Sequence, residues 1–395
     1  MTERVEPPSP SREGITVESS KYVVIGAGLV GSATAWHLAS AGQEVTLLER
    51  DVPASNHGSS HGSSRIFRFA YPDETYANLA KVAAPLWSHL ERESGQSLLQ
   101  QVGGVDFGTE RNPRQLAAVL DRVGVEHRII EIDEARERWP QYALDTEVLW
   151  QPTAGVVNPA KAVDAMVGLA AKAGAQALTG WQVASVTPAS TTGYVVTSSR
   201  GEQIHAAEVV VAAGSWLPHI LPRLPLPKGF LDALPTFEVR QEQTFHFPYE
   251  KPREDADWPT HIHIFKEITT TRMVYALPGG EGVENRALKV ALFNGGKVLP
   301  SAAQQDGIVD AANRDWVTRY VERHVPGVVP EPFAESTCLF TNTPTEDFVI
   351  ERVDGITLVS ACSGHGAKFA PLTGLLASGI TTGNGTVPDA FRVQR

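Results

Sequence analysis

Apolar and polar positions form their clearest local pattern near the start of the chain. An apolar run at 22–25 leads into a glycine-rich turn that contains Gly26, Gly28 and Gly31. A helix of small residues then continues to 41, and a second apolar run follows at 45–48. This order predicts a βαβ unit whose glycines allow a tight turn, close approach to a pyrophosphate and close helix packing. Glu49 ends the second strand, where its carboxylate can accept hydrogen bonds from both ribose hydroxyls. The pattern predicts a dinucleotide site, with a purely structural turn as the alternative.

Helical spacing and capping residues predict three further helices in the first half of the chain. One begins at Glu74 and turns one apolar face inward, made of Leu79, Val82, Ala83, Leu86 and Leu90. A second opens at Asn112 and Pro113 and is closed by Gly124. A third runs from Pro159 to about 172, because Asn158 is a good N-cap and proline is favoured in the first turn.

Period-two alternation predicts two groups of strands. Three short strands and a following apolar run form a meander at 182–187, 194–198, 203–206 and 208–213. Longer alternating strands and one helix follow, at 236–247, 261–265, 273–277 and 287–293, with the helix at 308–324. An antiparallel meander inserted in a parallel sheet is not how plain nicotinamide-binding domains are built, so the nucleotide is predicted to be a flavin.

These elements predict an α/β fold of the two-domain, α+β kind. One domain is FAD-binding and Rossmann-type, of the glutathione-reductase-like class, and the other is a mostly antiparallel sheet that holds the substrate. The predicted boundaries are a disordered tail at 1–19, a discontinuous FAD-binding domain at 20–99, 155–224 and 335–390, and a substrate domain at 100–154 and 225–334.

Charge and composition exclude several classes of function. Thirty-four basic against 45 acidic residues give a net charge of −11, which disfavours nucleic acid and anionic membranes as partners. No apolar run approaches the ~20 residues of a membrane span, and the first twenty residues lack the apolar core of a signal peptide, so a cytoplasmic protein is expected. The two cysteines, Cys338 and Cys362, are too few for a disulfide framework.

Four motifs together resemble one known family. They are the glycine fingerprint that ends at Glu49, His61-Gly62 with Arg65 and Arg68 ahead of Ala70-Tyr71, the segment from Cys338 through Asp347 to Phe348, and the segment from Ser363 to Phe369. Over about residues 20–385 the chain resembles the monomeric sarcosine oxidase and N-methyltryptophan oxidase family, FAD-dependent amine oxidases of the D-amino-acid oxidase superfamily. The last two motifs set this family apart from glycine oxidases and ordinary D-amino-acid oxidases.

The resemblance implies a covalently held cofactor. A cysteine in the context of Cys338 is joined by a thioether to the 8α carbon of FAD in the resembling enzymes, whereas the sequence alone favours a buried inert thiol. Cys362 is interpreted as a core residue. The implied cofactor-binding residues are Gly26, Gly28, Gly31, Glu49, Arg50, Ser60, His61, Arg65, Cys338, Gly364, His365, Gly366 and Lys368.

The resemblance also implies the residues that act on substrate. Arg68 and Lys368 correspond to the pair that holds a substrate carboxylate, with two surface cations as the alternative. Lys289 corresponds to the lysine beneath the flavin that promotes reaction with oxygen, and Tyr275 to a pocket tyrosine. His61 either touches the isoalloxazine edge or simply packs.

Departures from the family pattern concern the substrate pocket. Ser63 and Ser64 replace the usual Asp-Thr, and Phe293 stands where the sarcosine enzymes carry a pocket histidine, which indicates a larger and more apolar pocket. No metal site is predicted, because His261 and His263 lack a third ligand nearby in sequence.

The predicted function is a monomeric FAD-dependent oxidase of secondary amines, acting on N-methyl or cyclic amino acids. Hydride passes from an amine C–H to flavin N5, and O2 then yields H2O2. The alternatives are a flavin dehydrogenase, a biosynthetic imine-forming oxidase for a larger tailored amino acid, a flavin-binding protein without turnover, and a nicotinamide dehydrogenase.

Overall fold

The computed structural model describes residues 18–251, 258–279 and 287–394. The strands are β1 Ser19–Ile25, β2 Val45–Leu48, β3 Arg65–Phe67, β4 Leu99–Gln100, β5 Gly104–Phe107, β6 Arg128–Ile130, β7 Val148–Gln151, β8 Gly155–Val157, β9 Gln176–Leu178, β10 Val183–Pro188, β11 Tyr194–Ser198, β12 Gln203–Val211, β13 Glu238–Pro248, β14 Thr260–Glu267, β15 Thr270–Pro278, β16 Ala287–Leu292, β17 Lys297–Leu299, β18 Ala334–Asn342, β19 Val349–Val353 and β20 Ile356–Ser360. The helices are α1 Leu29–Ser40, α2 Glu74–Ser94, α3 Pro113–Val123, α4 Ile132–Arg138, α5 Pro159–Lys172, α6 Leu217–Ile220, α7 Lys228–Ala233, α8 Ala311–His324 and α9 Ala370–Thr381.

The first sheet, sheet 1, is built around the predicted βαβ unit. Its strand order is β10-β11-β12-β1-β2-β9, with β20 on β12 and β19 on β20. β1 pairs in parallel with both β2 and β12, and the meander β10-β11-β12 is antiparallel. α1 packs against α5 and α9, which explains why its buried residues are mostly small. The βαβ unit and the meander are therefore confirmed.

The second sheet, sheet 2, is mostly antiparallel and carries the long alternating strands. Its order is β17-β13-β16-β15-β14-β5-β7-β6, with β18 paired to β13 along nine residue pairs. α8 lies against β13 and β16, and their side chains share a buried cluster that includes Phe245, Val290 and Val317. A small third sheet joins β3, β8 and β4. The predicted mixed α/β class is confirmed.

Several predicted elements differ in detail. The run at 203–206 and the run at 208–213 form one strand, β12, since the meander continues directly into the strand beside β1. The last long helix begins at Ala311, where the Asp310 side chain caps the Ala312 amide, and Ile308 is exposed instead. The tail predicted at 1–19 lies mostly outside the described residues, and Ser19 already belongs to β1.

The buried face of α2 also differs from the prediction. Val82 is 51% exposed, whereas Ala77, Ala80 and Trp87 are fully buried. α5 and α9 pack closely against α2, and alanines permit that approach where larger aliphatic residues would not. Ala83 and Leu90 of the predicted face are fully buried, so the phase of this helix was right and only Val82 was assigned wrongly.

Strand β18 bears on the predicted division into domains. The sequence-based boundary at residue 335 assigned this strand to the FAD-binding domain, but its backbone pairs with β13 in sheet 2. Cys338 therefore lies on a strand of sheet 2. The division into domains otherwise stays a prediction.

The described residues bear on two sequence-based questions, whether a helix could span a membrane and whether His261 and His263 belong to a metal site. None of the helices described is both long enough and apolar enough to cross a bilayer. His263 hydrogen-bonds Tyr320 through its Nδ1 atom at 2.9 Å, and the part of the chain that the structure describes contains no group of three potential metal ligands.

Candidate functional site

One large cavity of about 840 Å³ brings most of the predicted site residues together. We refer to it as the large cavity. Its lining includes Gly26, Gly28, Glu49, Arg50, Ser60, Arg65, Arg68, Tyr275, Lys289, Cys338, Gly364, His365, Gly366 and Lys368. Gly31 and His61 do not line it. Segments from both ends of the sequence therefore meet in one place, as the resemblance implied.

The glycine-rich turn forms one end of the large cavity. Gly26 has a φ of +101°, and a Cβ there would lie 2.6 Å from the Ala212 carbonyl oxygen. A Cβ on Gly31 would lie 1.8 Å from the Gly26 carbonyl oxygen, so the first turn of α1 could not approach the strand with any side chain there. Gly31 thus shapes the turn from behind, while Gly28 faces the cavity.

Glu49 closes the turn from the neighbouring strand. Its carboxylate accepts hydrogen bonds from the Ala27 amide at 2.8 Å and the Asp51 amide at 3.0 Å. Burial raises the pKa of Glu49, and these two amides oppose the shift. Each carboxylate oxygen retains a lone pair toward the cavity, so the group can still accept hydrogen bonds from ribose hydroxyls.

The residues of the large cavity fit FAD, because two of their buried polar atoms have no hydrogen-bond partner among the described residues. Arg50 Nη1 and Ser64 Oγ both belong to cavity-lining residues, and neither has a hydrogen-bond partner among the described residues. Buried polar groups are rarely left unpaired, so such atoms indicate a bound polar molecule. The volume also lies within the range of cofactor sites. Gly28, Glu49 and Arg50 would hold the nucleotide half.

Cys338 lies in the middle of the lining, on β18. Its direct partner on β13 is Glu242, so their side chains share one face of sheet 2. Burial raises the pKa of the thiol, and the positive charges of Arg65 and Lys289 oppose that shift. Cys362 also lines the cavity and accepts a hydrogen bond from the Thr341 amide at 3.4 Å, and its interpretation as a core residue stays a prediction.

Arg68 and Lys368 lie near the same aromatic ring in the lining of the large cavity. The Arg68 guanidinium carbon lies 4.2 Å from the centre of the Tyr71 ring, and Lys368 Nζ lies 5.6 Å from the same point. Lys368 Nζ donates to the His365 carbonyl at 2.7 Å. Burial first and Arg68 second lower the pKa of Lys368 well below its usual range. Two desolvated cations so close together would both be stabilised by a carboxylate.

Lys289 and Tyr275 come from adjacent strands and line the same cavity. Lys289 is buried on β16, and its Nζ donates to the Ser64 carbonyl at 3.3 Å. Burial raises the pKa of Tyr275 well above its usual value, so this side chain is a neutral hydroxyl at neutral pH. His61, in contrast, lies away from the large cavity, and its position favours packing over contact with the ring edge.

Three residues of the site were not predicted from the sequence. Tyr71 carries the ring that both cations approach, Trp216 stacks with Arg50 at 3.7 Å, and Glu346 lines the cavity near Arg68. Trp216 could have been found, because it follows the carboxyl end of a strand beside β1, where ligands bind in open α/β sheets. Tyr71 and Glu346 lie within two of the family motifs, but the sequence did not mark either of them as a site residue.

An apolar wall faces the substrate end. Phe293 and Phe340 pack with ring centroids 5.7 Å apart, and a Cβ on Gly364 would meet them at 2.6 and 2.8 Å. Ile262, Met273 and Leu277 extend the apolar lining. Phe293 therefore lies in the pocket, as the departure from the family pattern suggested.

Comparison with known proteins identifies relatives over nearly the whole chain. The family model DAO, described as FAD dependent oxidoreductase, matches residues 21–379. Peroxisomal sarcosine oxidase of Homo sapiens is 30% identical over 360 residues, which cover 89% of this chain and 89% of that protein. N-methyl-L-tryptophan oxidase of Yersinia pestis (strain Pestoides F) is 28% identical over 366 residues, which cover 90% of this chain and 93% of that protein. The predicted resemblance and the FAD cofactor are confirmed.

A solved structure is similar over the same extent. NikD, described as an unusual amino acid oxidase essential for nikkomycin biosynthesis, has a TM-score of 0.81 and 24% sequence identity, covering 96% of this chain and 98% of that one. At this identity the likeness concerns the fold alone, and it supports the two-domain α/β arrangement.

Proposed function

We propose a specific activity for this chain, which belongs to the DAO family of FAD-dependent oxidoreductases: it oxidises a secondary amine or cyclic amino acid that carries a carboxylate. The observation that carries the proposal is the pair Arg68 and Lys368, which both lie near the Tyr71 ring in the cavity that the predicted FAD-binding residues line. The relatives' names, sarcosine oxidase and N-methyl-L-tryptophan oxidase, support the same substrate class.

The residues of the chain position the substrate rather than react with it. The Arg68 fork and the Lys368 ammonium bind the carboxylate, which fixes the adjacent C–H bond in the cavity. FAD, when bound, supplies the redox chemistry, since it accepts a hydride from the amine carbon to leave an imine and is reoxidised by O2 to give H2O2. The apolar wall around Phe293 and Phe340 favours a substrate larger than sarcosine.

Oxygen is proposed as the second substrate, with Lys289 as the residue that promotes its reaction. A fixed cation in a water-poor cavity stabilises the negative charge that develops as oxygen is reduced. Lys289 meets this requirement because its side chain is buried and lines the large cavity beside Cys338.

An anaerobic screen tests the proposed activity. Candidate N-methyl and cyclic amino acids are mixed with the purified yellow protein under nitrogen, and absorbance at the flavin band is followed. Carboxylate-bearing secondary amines should bleach the flavin, and admission of air should restore the band with one H2O2 per turnover. No bleaching by any secondary amino acid would contradict the proposal, while bleaching that only an artificial acceptor reverses would identify a dehydrogenase.

Covalent attachment of FAD through Cys338 gives a further prediction. Cys338 lines the large cavity, and the positive charges of Arg65 and Lys289 oppose the rise that burial causes in the pKa of its thiol. After acid precipitation, flavin colour should remain with the wild-type polypeptide and appear in the supernatant for Cys338→Ser. Cys362→Ser is the matched control, since Cys362 lines the same cavity, and it should retain colour in the pellet. Release of flavin from the wild-type protein would contradict covalent attachment through Cys338.

A further inference from the structure

A second, much smaller cavity is lined by Lys289 and its neighbours. We refer to it as the small cavity. Its volume is about 10 Å³, and its lining comprises His61, Gly62, Ser63, Arg65, Thr244, His246, Lys289, Ser336 and Cys338. A volume near one probe sphere holds one water molecule when the site offers two to four polar partners. Lys289 and Cys338 line both cavities, so the small cavity adjoins the proposed oxygen site.

Two histidine nitrogens in the lining lack hydrogen-bond partners. His61 Nε2 and His246 Nδ1 are buried, and neither atom has a partner among the described residues. The side chains are only 8% and 2% exposed, respectively. Buried polar atoms in proteins are almost always satisfied, by protein or by ordered water. The two nitrogens thus point to a small polar occupant.

Both rings present a lone pair at the unpartnered nitrogen. Burial lowers the pKa of each histidine to about 4. The positive charge of Lys289 lowers both pKa values further, and that of Arg65 also lowers the pKa of His61, so both rings are neutral at pH 7. His61 also makes a hydrogen bond with the backbone of Thr337, and His246 makes one with the backbone of Ala334. Each of these bonds raises the pKa of its ring, so the ring donates it to a backbone carbonyl. A neutral ring that donates through one nitrogen accepts through the other.

Strand register places Lys289 beside these acceptors. His246 on β13 is the direct partner of Lys289 on β16, so the two side chains share one face of sheet 2. Thr244 and Ser336 form the next pair on this face, and their hydroxyls hydrogen-bond each other at 3.0 Å. The wall is therefore rigid on two sides, formed by paired strands rather than by loops.

We propose that one ordered water occupies the small cavity, donates its two hydrogens to His61 Nε2 and His246 Nδ1, and accepts a hydrogen bond from Lys289 Nζ. His61 and His246 are then positioning residues that act on Lys289 through this water. The arrangement satisfies two lone pairs that otherwise lack partners and adds an acceptor for the ammonium without adding charge. The cation would keep its full attraction for reduced oxygen in the large cavity.

This inference rests on the proposed role of Lys289, and variants at His246 test it. His246→Phe fills the volume but removes the acceptor, whereas His246→Asn keeps an acceptor oxygen near the position of Nδ1. Crystal structures of the holoenzyme should contain the water in the wild type and in His246→Asn but not in His246→Phe. Reoxidation of the reduced flavin by O2 should slow about 3–10-fold in His246→Phe, the effect of one lost hydrogen bond, and recover in His246→Asn. His205→Phe, on the exposed side of β12, is the control with no change.

The outcomes separate this inference from the proposed function. Lack of water density in the wild-type small cavity overturns the inference, whatever the reactivity with oxygen. Equal reoxidation rates in the wild type and His246→Phe also overturn it, provided that Lys289→Met is slow. A wild-type enzyme that does not react with oxygen would instead refute the proposed oxidase activity, and the crystal structures would still decide whether the water is present.

Discussion

Replacing Arg68 with alanine is expected to lower kcat/KM for a carboxylate-bearing secondary amine by about 10²–10³-fold, since truncating one partner of a buried charge pair costs about 2–5 kcal/mol. The expected loss is large because alanine leaves the substrate carboxylate without its bidentate partner beside the buried Tyr71 ring. Arg68 packs over the Tyr71 ring and donates to the Ala70 carbonyl, so its fork is held in one orientation before substrate binds. Steady-state kinetics with a panel of N-methyl amino acids would measure the effect.

The partner cation and the substrate supply the controls for this prediction. Lys368→Met should produce a loss of similar direction, whereas Arg68→Lys should recover part of the rate because it restores charge without the bidentate geometry. Arg200→Ala is the matched surface control, since Arg200 pairs with Glu202 in an exposed turn and such pairs contribute little. An N-methyl amine without a carboxylate should be oxidised poorly by the wild type and by Arg68→Ala alike. Equal losses for both substrates would show that Arg68 does not bind the carboxylate.

The lowered pKa of Lys368 supports binding of a substrate carboxylate by Arg68 and Lys368. Burial and the nearby Arg68 both disfavour the ammonium, so two adjacent cations are held at an energetic cost. A carboxylate that enters between them would offset that cost and raise the pKa of Lys368. Glu346 also lines the cavity, and partial burial raises the pKa of its carboxyl while the nearby charge of Arg68 opposes that shift.

Local sequence determines the nucleotide half of this site. Gly26 and Gly31 are required by contacts within one turn, and Glu49 lies at the end of the adjacent strand, so a single stretch of sequence specifies their arrangement. Helix caps are equally local, as at Asn158, whose side chain accepts a hydrogen bond from the Lys161 amide. Patterns of this kind can be interpreted without knowledge of the rest of the chain.

The substrate half depends on pairings between distant strands, which no local pattern specifies. His246 meets Lys289 only through the register of β13 on β16, and Cys338 joins sheet 2 only because β18 pairs with β13. A shift of one residue would turn either side chain to the other face of the sheet. The resemblance to a family supplied Lys289 and Cys338, whereas the relation of His61 and His246 to Lys289 required the structure.

Replacing Lys289 with methionine is expected to slow reoxidation of the reduced flavin by O2 by about 10²–10³-fold, the loss typical of removing one preorganised electrostatic group. Methionine keeps the length and the apolar stem of the side chain but removes the charge. Flavin reduction by substrate should change far less, because the proposed substrate-binding pair is Arg68 and Lys368 beside Tyr71 and does not include Lys289. Stopped-flow measurement of the two half-reactions separates these effects.

Lys266→Met provides the matched control for this experiment, because Lys266 lies at an exposed position of β14 in the same sheet. It should leave both half-reactions unchanged. A rate of reoxidation in Lys289→Met equal to that of the wild type would mean that the positive charge on β16 does not act on oxygen. Equal slowing of reduction and reoxidation would instead indicate that Lys289 supports the shape of the cavity, since both half-reactions take place there. Only selective loss of the oxygen reaction agrees with a buried cation that stabilises negative charge on oxygen.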